Sequence, residues 1–106
     1  NNIKYPKTIA NYVAVAQEAV IENIMMKSNN FAIDPFFKEN QSQAVMCLPL
    51  IKQGIVTGIL YLENNKVSNV FTKDRILICK LLSGQMAVSL ENAHLFSKVN
   101  KLVIIH

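Results

Sequence analysis

The residues that could perform chemistry are few in this chain, and they stand far apart in the sequence. The only thiols are Cys47 and Cys79, and the only imidazoles are His94 and His106. A nucleophilic site needs a thiol and a base within reach of each other, and a metal site needs ligands at short, regular spacings. Neither pattern occurs, and the three glycines form no phosphate-binding loop. The sequence predicts no catalytic residue and no metal site.

Two polar side chains end an apolar run near the middle of the chain. Glu63 and Asn64 follow the residues GILYL at positions 58–62, where they would lie at the rim of any pocket on a sheet. Such residues also simply end a strand and hydrogen-bond the backbone of the turn that follows. Both interpretations stay open from the sequence.

The charge pattern argues against a nucleic-acid partner. The net charge is +4 and the pI about 9.2, but the positive residues are scattered and Arg75 is the single arginine. Nucleic-acid sites cluster their charge and favour arginine. No apolar run reaches the ~20 residues of a membrane span, and two distant cysteines do not suggest a disulfide framework. We expect a cytoplasmic protein that binds neither nucleic acid nor membrane.

A β-hairpin is the element that must position most of these residues. Two apolar runs, residues 45–51 and 55–62, flank the turn Lys52-Gln53-Gly54. Neither run alternates polar with apolar residues, which predicts a sheet that is covered on both faces. Pro49 cannot donate a ladder hydrogen bond, so it predicts an edge position or a bulge in the first strand.

Helices are predicted on both sides of this hairpin. Pro6 and an apolar repeat predict an amphipathic helix over residues 7–16, followed by a short strand at residues 19–21. The pair Asp34-Pro35 predicts a short capped helix over residues 36–39.

A long helix is predicted from Lys73 to beyond Val99, with Thr72 as its cap. Its first half is apolar on nearly all sides, so we expect it to be buried, with Gly84 allowing close packing on the sheet. From residue 91 the apolar positions narrow to a stripe suited to a partner helix. The main stripe consists of Ile78, Leu82, Gln85, Ser89, Asn92, Phe96 and Val99.

The order of these motifs closely resembles the C-terminal two-thirds of a GAF domain. The similarity is greatest to the GAF domains of large hybrid sensor histidine kinases that also carry protein-kinase-like and ATPase regions. It is carried by residues 9–14 (IANYVA), 17–20 (QEAV), 34–36 (DPF), 45–50 (VMCLPL), 58–64 (GILYLEN), 71–75 (FTKDR) and 85–93 (QMAVSLENA). The resemblance implies an α+β, PAS-related fold with a central antiparallel sheet and flanking helices.

The same resemblance implies a domain organisation and a function. Residues 1–106 would form a single partial GAF domain that lacks the first helix and first two strands, and residues 91–106 would begin a signalling helix. The domain would couple a small-molecule or interface signal to an attached histidine kinase, with no cofactor identified. The implied pocket candidates are Cys47, Pro49, Tyr61, Glu63 and Phe71. The implied homodimer contact on the C-terminal helix consists of Leu95, Phe96, Val99 and Leu102.

Two alternative functions stay open. One is a ligand-free dimerisation scaffold. The other is cyclic-nucleotide binding, because members of the family that bind cyclic nucleotides carry an Asn-Lys…Phe…Asp-Glu signature. Asn65-Lys66, Phe71 and Asp74 match it in part. However, Arg75 stands where the glutamate would be, and the spacing from Phe to Asp is one residue short.

Overall fold

The computed structural model describes residues 5–23, 30–39, 44–66, 70–97 and 101–105, which form an α+β arrangement. The sheet has the strand order β1-β2-β3-β4, with β1, β2 and β3 antiparallel and β4 parallel to β3. The predicted central antiparallel sheet with flanking helices is therefore confirmed. The elements in chain order are α1 (Lys7–Ala16), β1 (Val20–Asn23), a 3₁₀ turn (Asn30–Ile33), α2 (Phe36–Glu39), β2 (Ala44–Lys52), β3 (Ile55–Asn64), α3 (Lys73–Ser97) and β4 (Lys101–Ile105).

The hairpin of β2 and β3 forms as predicted. Gln53 and Gly54 make its turn, with φ of 52° and 77°. A two-residue turn with positive φ at both central positions matches the right-handed twist of the strands it joins. Glycine adopts this conformation without the steric cost that a side chain brings.

A β-bulge lies near Pro49, but the expectation for the first strand is only partly met, because β2 is an inner strand and the extra residue of the bulge is on β3. Leu50 pairs with Gly58 and Ile51 with Val56, so Thr57 is an extra residue on β3. The Thr57 hydroxyl donates a hydrogen bond to the Leu50 carbonyl oxygen at 3.0 Å. Pro49 also lies beyond the end of β1, whose outermost pair on this side involves Cys47, so its missing N–H costs no bond to β1.

The sheet is covered on both faces, as the uninterrupted apolar strands predicted. Helices α1 and α2 pack on one face, and α3 packs on the other. The buried residues of the first core are Ile9, Val13, Val20, Phe36, Val45, Cys47 and Tyr61. The buried residues of the second core are Met46, Leu48, Leu50, Leu60 and Ala87.

Asp34 joins the starts of α1 and α2. Its Oδ1 accepts a hydrogen bond from the Phe36 backbone N–H at 2.9 Å, which confirms the predicted cap of α2. Its Oδ2 accepts bonds from the Thr8 backbone N–H at 2.8 Å and from the Thr8 hydroxyl. The link to Thr8 joins residues 26 positions apart, so local sequence patterns do not reveal it.

Helix α3 begins as predicted but is far more exposed than expected. The Thr72 hydroxyl accepts a hydrogen bond from the Arg75 backbone N–H at 3.3 Å, so Thr72 caps the helix. The expected burial of the first half is wrong, since Leu77, Ile78, Leu81 and Leu82 are 54–66% exposed. A single sheet face covers one side of a helix, and the described elements place nothing on the other side.

Two further expectations for α3 are also wrong. A Cβ added at Gly84 would meet no atom within 4 Å, so close packing does not require this glycine. The described part of the helix ends at Ser97, and Val99 lies outside the described residues. Leu102 belongs to β4 and not to a helix, because residues 101–105 pair with residues 58–62 along the free edge of β3.

Candidate functional site

Three of the predicted pocket residues share the sheet face beneath α1 and α2. Cys47 on β2 lies directly opposite Tyr61 on β3, and Glu63 lies opposite Val45 in the next row of the same face. Alternate residues of a strand point to one face, which brings these three side chains together. The hairpin register is therefore what assembles the candidate site.

The polar atoms of this group are withdrawn from solvent. Cys47 is fully buried and Tyr61 is 1% exposed, and the Tyr61 hydroxyl and Glu63 Oε1 are buried atoms. Burial raises the pKa of the Cys47 thiol to about 12. The thiol is thus protonated at neutral pH and is a poor nucleophile, because the thiolate is the reactive form.

Helix α2 covers Tyr61 directly. The ring of Phe36 meets the ring of Tyr61 edge to face, with centroids 6.2 Å apart and an interplanar angle of 90°. Phe36 is 1% exposed, and α1 completes this core with Ile9 and Val13. A ligand that reached Tyr61 would therefore have to displace Phe36 from its position over the sheet.

The other two pocket candidates occupy different places. Pro49 lies opposite Ile59, which packs against the same core as Cys47, so Pro49 borders the group next to the bulge. Phe71 packs against the second core, under α3 on the opposite face of the sheet. The structure therefore separates Phe71 from the other four candidates.

Glu22 belongs to the same face, although the sequence patterns did not single it out. It lies opposite Val45 on β1, in one row with Glu63 on β3. Two strand spacings put these two positions roughly 10 Å apart. A charged residue at the end of a β-favouring run is the sequence signal that could have identified Glu22. That Glu22 lies in the same row as Glu63 follows only from the strand register.

A groove lies away from these residues, on α3. It has a volume of about 330 Å³ and is lined by Leu82, Gln85, Met86 and Ser89. Leu82, Gln85 and Ser89 belong to the main stripe of α3 that the sequence shows. The sequence pattern did not predict a groove at these residues. Of the predicted dimer contact, Leu95 and Phe96 lie in the last turn of α3.

The described part of the chain offers no other chemical centre. Among its residues, no group of three or more His, Cys, Asp or Glu side chains is placed to hold a metal ion. No helix within it has both the length and the hydropathy to cross a bilayer.

Comparison with known proteins agrees with this fold. The chain matches the GAF domain family over residues 3–90. It is also similar to hybrid signal transduction histidine kinase G of Dictyostelium discoideum, with 36% identity over 95 residues that cover 90% of this chain. The matched segment spans only 3% of the length of that relative. On the strength of the family match and of the fold, the chain belongs to the GAF domain family of regulatory signalling domains.

Proposed function

We propose that this GAF domain is a cytoplasmic sensory module that couples a small-molecule signal to an attached histidine kinase. The kinase is suggested by the relative, whose name describes a hybrid signal transduction histidine kinase. The observation that carries the sensory role is the grouping of Cys47, Tyr61 and Glu63 on the sheet face beneath α1 and α2. Ligand sites are mostly apolar and use a small number of polar groups to orient the bound molecule.

The chemistry of this face indicates the class of ligand. Its walls are apolar, Tyr61 brings a phenol, and Glu22 and Glu63 bring two carboxylates in one row. Among the described residues of this core, none is cationic. A small, mostly apolar molecule with an amine or another N–H donor fits such a site. The phosphate of a cyclic nucleotide finds no positive partner there, which argues against the cyclic-nucleotide alternative.

A thermal-shift screen followed by calorimetry tests this proposal. The compounds should include small amines together with cAMP and cGMP. A ligand present at ~1,000 times its dissociation constant stabilises the folded state by about 4 kcal/mol, which is readily measured. Tyr61→Phe and Glu63→Gln should weaken binding, whereas Ser89→Ala on α3 serves as the matched control and should not. A ligand affinity that Tyr61→Phe and Glu63→Gln leave unchanged, or a preference for cyclic nucleotides, would contradict the proposal.

A ligand-free dimerisation scaffold is the second candidate function. It is favoured by the exposed apolar side of α3, which a folded domain normally covers. A chain that self-associates but is stabilised by no compound in the screen would support this alternative.

Coupling to the kinase can be tested in a longer protein that contains the catalytic region. Replacement of Leu95 and Val99 by aspartate should change kinase output, because both residues belong to the apolar stripe that the sequence continues past Asn92. Unchanged kinase output and unchanged oligomeric state would argue against transmission along this segment.

A further inference from the structure

Asp34 accepts hydrogen bonds from the starts of two helices at once. Its Oδ1 accepts from the Phe36 backbone N–H at 2.9 Å, at the start of α2. Its Oδ2 accepts from the Thr8 backbone N–H at 2.8 Å, in the first turn of α1. Asp34 is 3% exposed, so one buried carboxylate serves both helices. A movement of either helix start therefore acts on the same group.

The first turn of α1 has no cap from its own segment. The residue before the helix is Pro6, which makes no side-chain capping bond. The first N–H groups of a helix have no partner within that helix, so Asp34 supplies the acceptor for Thr8 across 26 positions of sequence. The Thr8 hydroxyl donates to the same oxygen. The start of α1 is thus held by a residue of another segment.

The C-terminal end of α1 is held independently of α2. Gln17 ends the helix with a φ of 57°, and its backbone N–H donates to the Val13 carbonyl oxygen at 2.9 Å. The Gln17 side-chain Nε2 donates to the Gly54 carbonyl oxygen, in the turn of the hairpin, at 3.3 Å. Loss of the bonds at Thr8 would therefore free the first turn and leave the other end of α1 attached to the sheet.

Phe36 connects the Asp34 carboxylate to the candidate ligand site. Asp34 binds its backbone N–H, and its ring covers Tyr61 edge to face with centroids 6.2 Å apart. The ring of Phe37 also meets it edge to face, at 5.2 Å. A 1% exposed ring in a close-packed core has little room to change rotamer in place. A ligand over Tyr61 would therefore displace the backbone of α2 together with the ring.

We propose that Asp34 couples occupation of the site over Tyr61 to the first turn of α1. A bound ligand moves Phe36, the carboxylate follows the start of α2, and Thr8 loses its acceptor. This inference rests on the small-molecule site proposed above and gives that site an output on the opposite face of the sheet from α3. Coupling between two sites is reciprocal, so loosening Thr8 also loosens α2 over Tyr61.

Hydrogen exchange of the Thr8 amide, followed by NMR in the 106-residue chain, tests the coupling without a ligand. Phe36→Trp adds volume beneath α2, as a ligand would, and overpacking of a core shifts the backbone. It should speed exchange of the Thr8 amide by about tenfold, the order expected for loss of a hydrogen bond to a charged group. Leu82→Trp is the matched control, because Leu82 is 54% exposed on α3, and it should leave the Thr8 amide unchanged.

The reverse direction is tested at Thr8 itself. Thr8→Val removes the hydroxyl donor and keeps the shape of the side chain, and Thr8 is exposed, so the fold should be retained. Exchange of the Phe36 amide should become roughly twofold to tenfold faster, as for loss of one hydrogen bond. Thr72→Val is the matched control, because Thr72 caps α3 on the other face, and it should not change the Phe36 amide.

The ligand experiment uses phenethylamine, an apolar ring that carries an amine, as the probe. At a concentration that calorimetry shows to be saturating, phenethylamine should speed exchange of the Thr8 amide. In an Asp34→Ala background it should change that amide no further, because effects that act through one shared group are not additive.

Several outcomes would overturn the inference. These are an unchanged Thr8 amide in Phe36→Trp, an unchanged Phe36 amide in Thr8→Val, or acceleration of the paired β2 and β3 amides to the same extent, which would indicate a global loss of stability. Bound phenethylamine with an unchanged Thr8 amide would refute the coupling alone and leave the sensory role intact. A probe that does not bind would count against the proposed class of ligand, while the two variants would still decide the coupling.

Discussion

At the scale of single residues, Cys47 shows how a chemically reactive group becomes a packing residue. It lies opposite Tyr61 in the middle of the sheet, and none of its surface is exposed. Burial penalises the thiolate and raises the pKa of the thiol to about 12. A buried, protonated thiol packs as a small apolar side chain.

We expect native Cys47 to resist alkylation at neutral pH, while the partly exposed Cys79 reacts first. Mass spectrometry after timed treatment with iodoacetamide measures both rates. In denaturant the two rates should converge, because both thiols are then equally solvated. Faster modification of Cys47 than of Cys79 in the folded protein would show that α2 opens readily over this face.

The same thiol should make stability depend on pH in the alkaline range. Above its ordinary pKa of 9.0, the unfolded chain releases the thiol proton while the folded chain retains it up to about pH 12. The unfolded state then binds fewer protons, so the free energy of unfolding falls as the pH rises through this window. Urea titrations at several pH values should show the decline, and Cys47→Ala should reduce it.

Asp34 is the second residue whose role depends on burial. We expect Asp34→Ala to destabilise the fold by about 2–4 kcal/mol, because it removes a helix cap and leaves the buried Phe36 N–H and the part-buried Thr8 N–H without their acceptor. Urea denaturation measures the change. Asp34→Asn keeps one acceptor oxygen and should cost less, whereas equal losses would show that the charge is the main contribution.

At the scale of elements, α3 has one side packed and one side open, and Gly84 belongs to the open part. Because nothing lies within 4 Å of an added Cβ, Gly84→Ala should stabilise the chain by about 0.5–1 kcal/mol through helix propensity. Thermal or urea unfolding checks this. Gly54→Ala is the matched control: it also has free space, but its φ of +77° makes a side chain strained, so it should destabilise.

The elements also show which sequence patterns were reliable. The hairpin and its turn were predictable because strand patterning and turn chemistry act over a few residues. Pro49 indicated an irregularity in this part of the sheet but not the strand that carries the extra residue. The caps at Asp34 and Thr72 were predictable for the same reason. The C-terminal end of α3 was not, since residues 101–105 are apolar in a pattern that suits either a helix stripe or a strand.

At the scale of the whole molecule, the free edge of β3 decides where the C-terminal residues lie. An unpaired strand edge offers a row of N–H and C=O groups, and β4 pairs with it in parallel along residues 58–62. The connection through α3 provides the crossover that parallel strands require. Residues 101–105 therefore form a strand because β3 offers them an edge to pair with, and the β-branched Val103, Ile104 and Ile105 favour the same conformation.

Deletion of residues 98–106 should therefore act on β3 in particular. Hydrogen exchange should become faster for those β3 amides that bond to β4, while the amides that bond to β2 keep their protection. The exposed edge should also increase aggregation. Unchanged exchange along β3 would mean that β4 contributes little to the stability of the sheet.

The sequence by itself determined the α+β class, the hairpin, the helix caps and the GAF resemblance, because these depend on local patterns and on the order of motifs. Only the tertiary structure shows that Cys47, Tyr61 and Glu63 lie on one face of the sheet and Phe71 on the other. Strand register and connectivity determine which distant residues are neighbours, and local patterns do not contain them. It also decided that the apolar first half of α3 is open on one side. An apolar pattern favours burial of a helix, but the number and placement of the neighbouring elements determine which of its sides are covered.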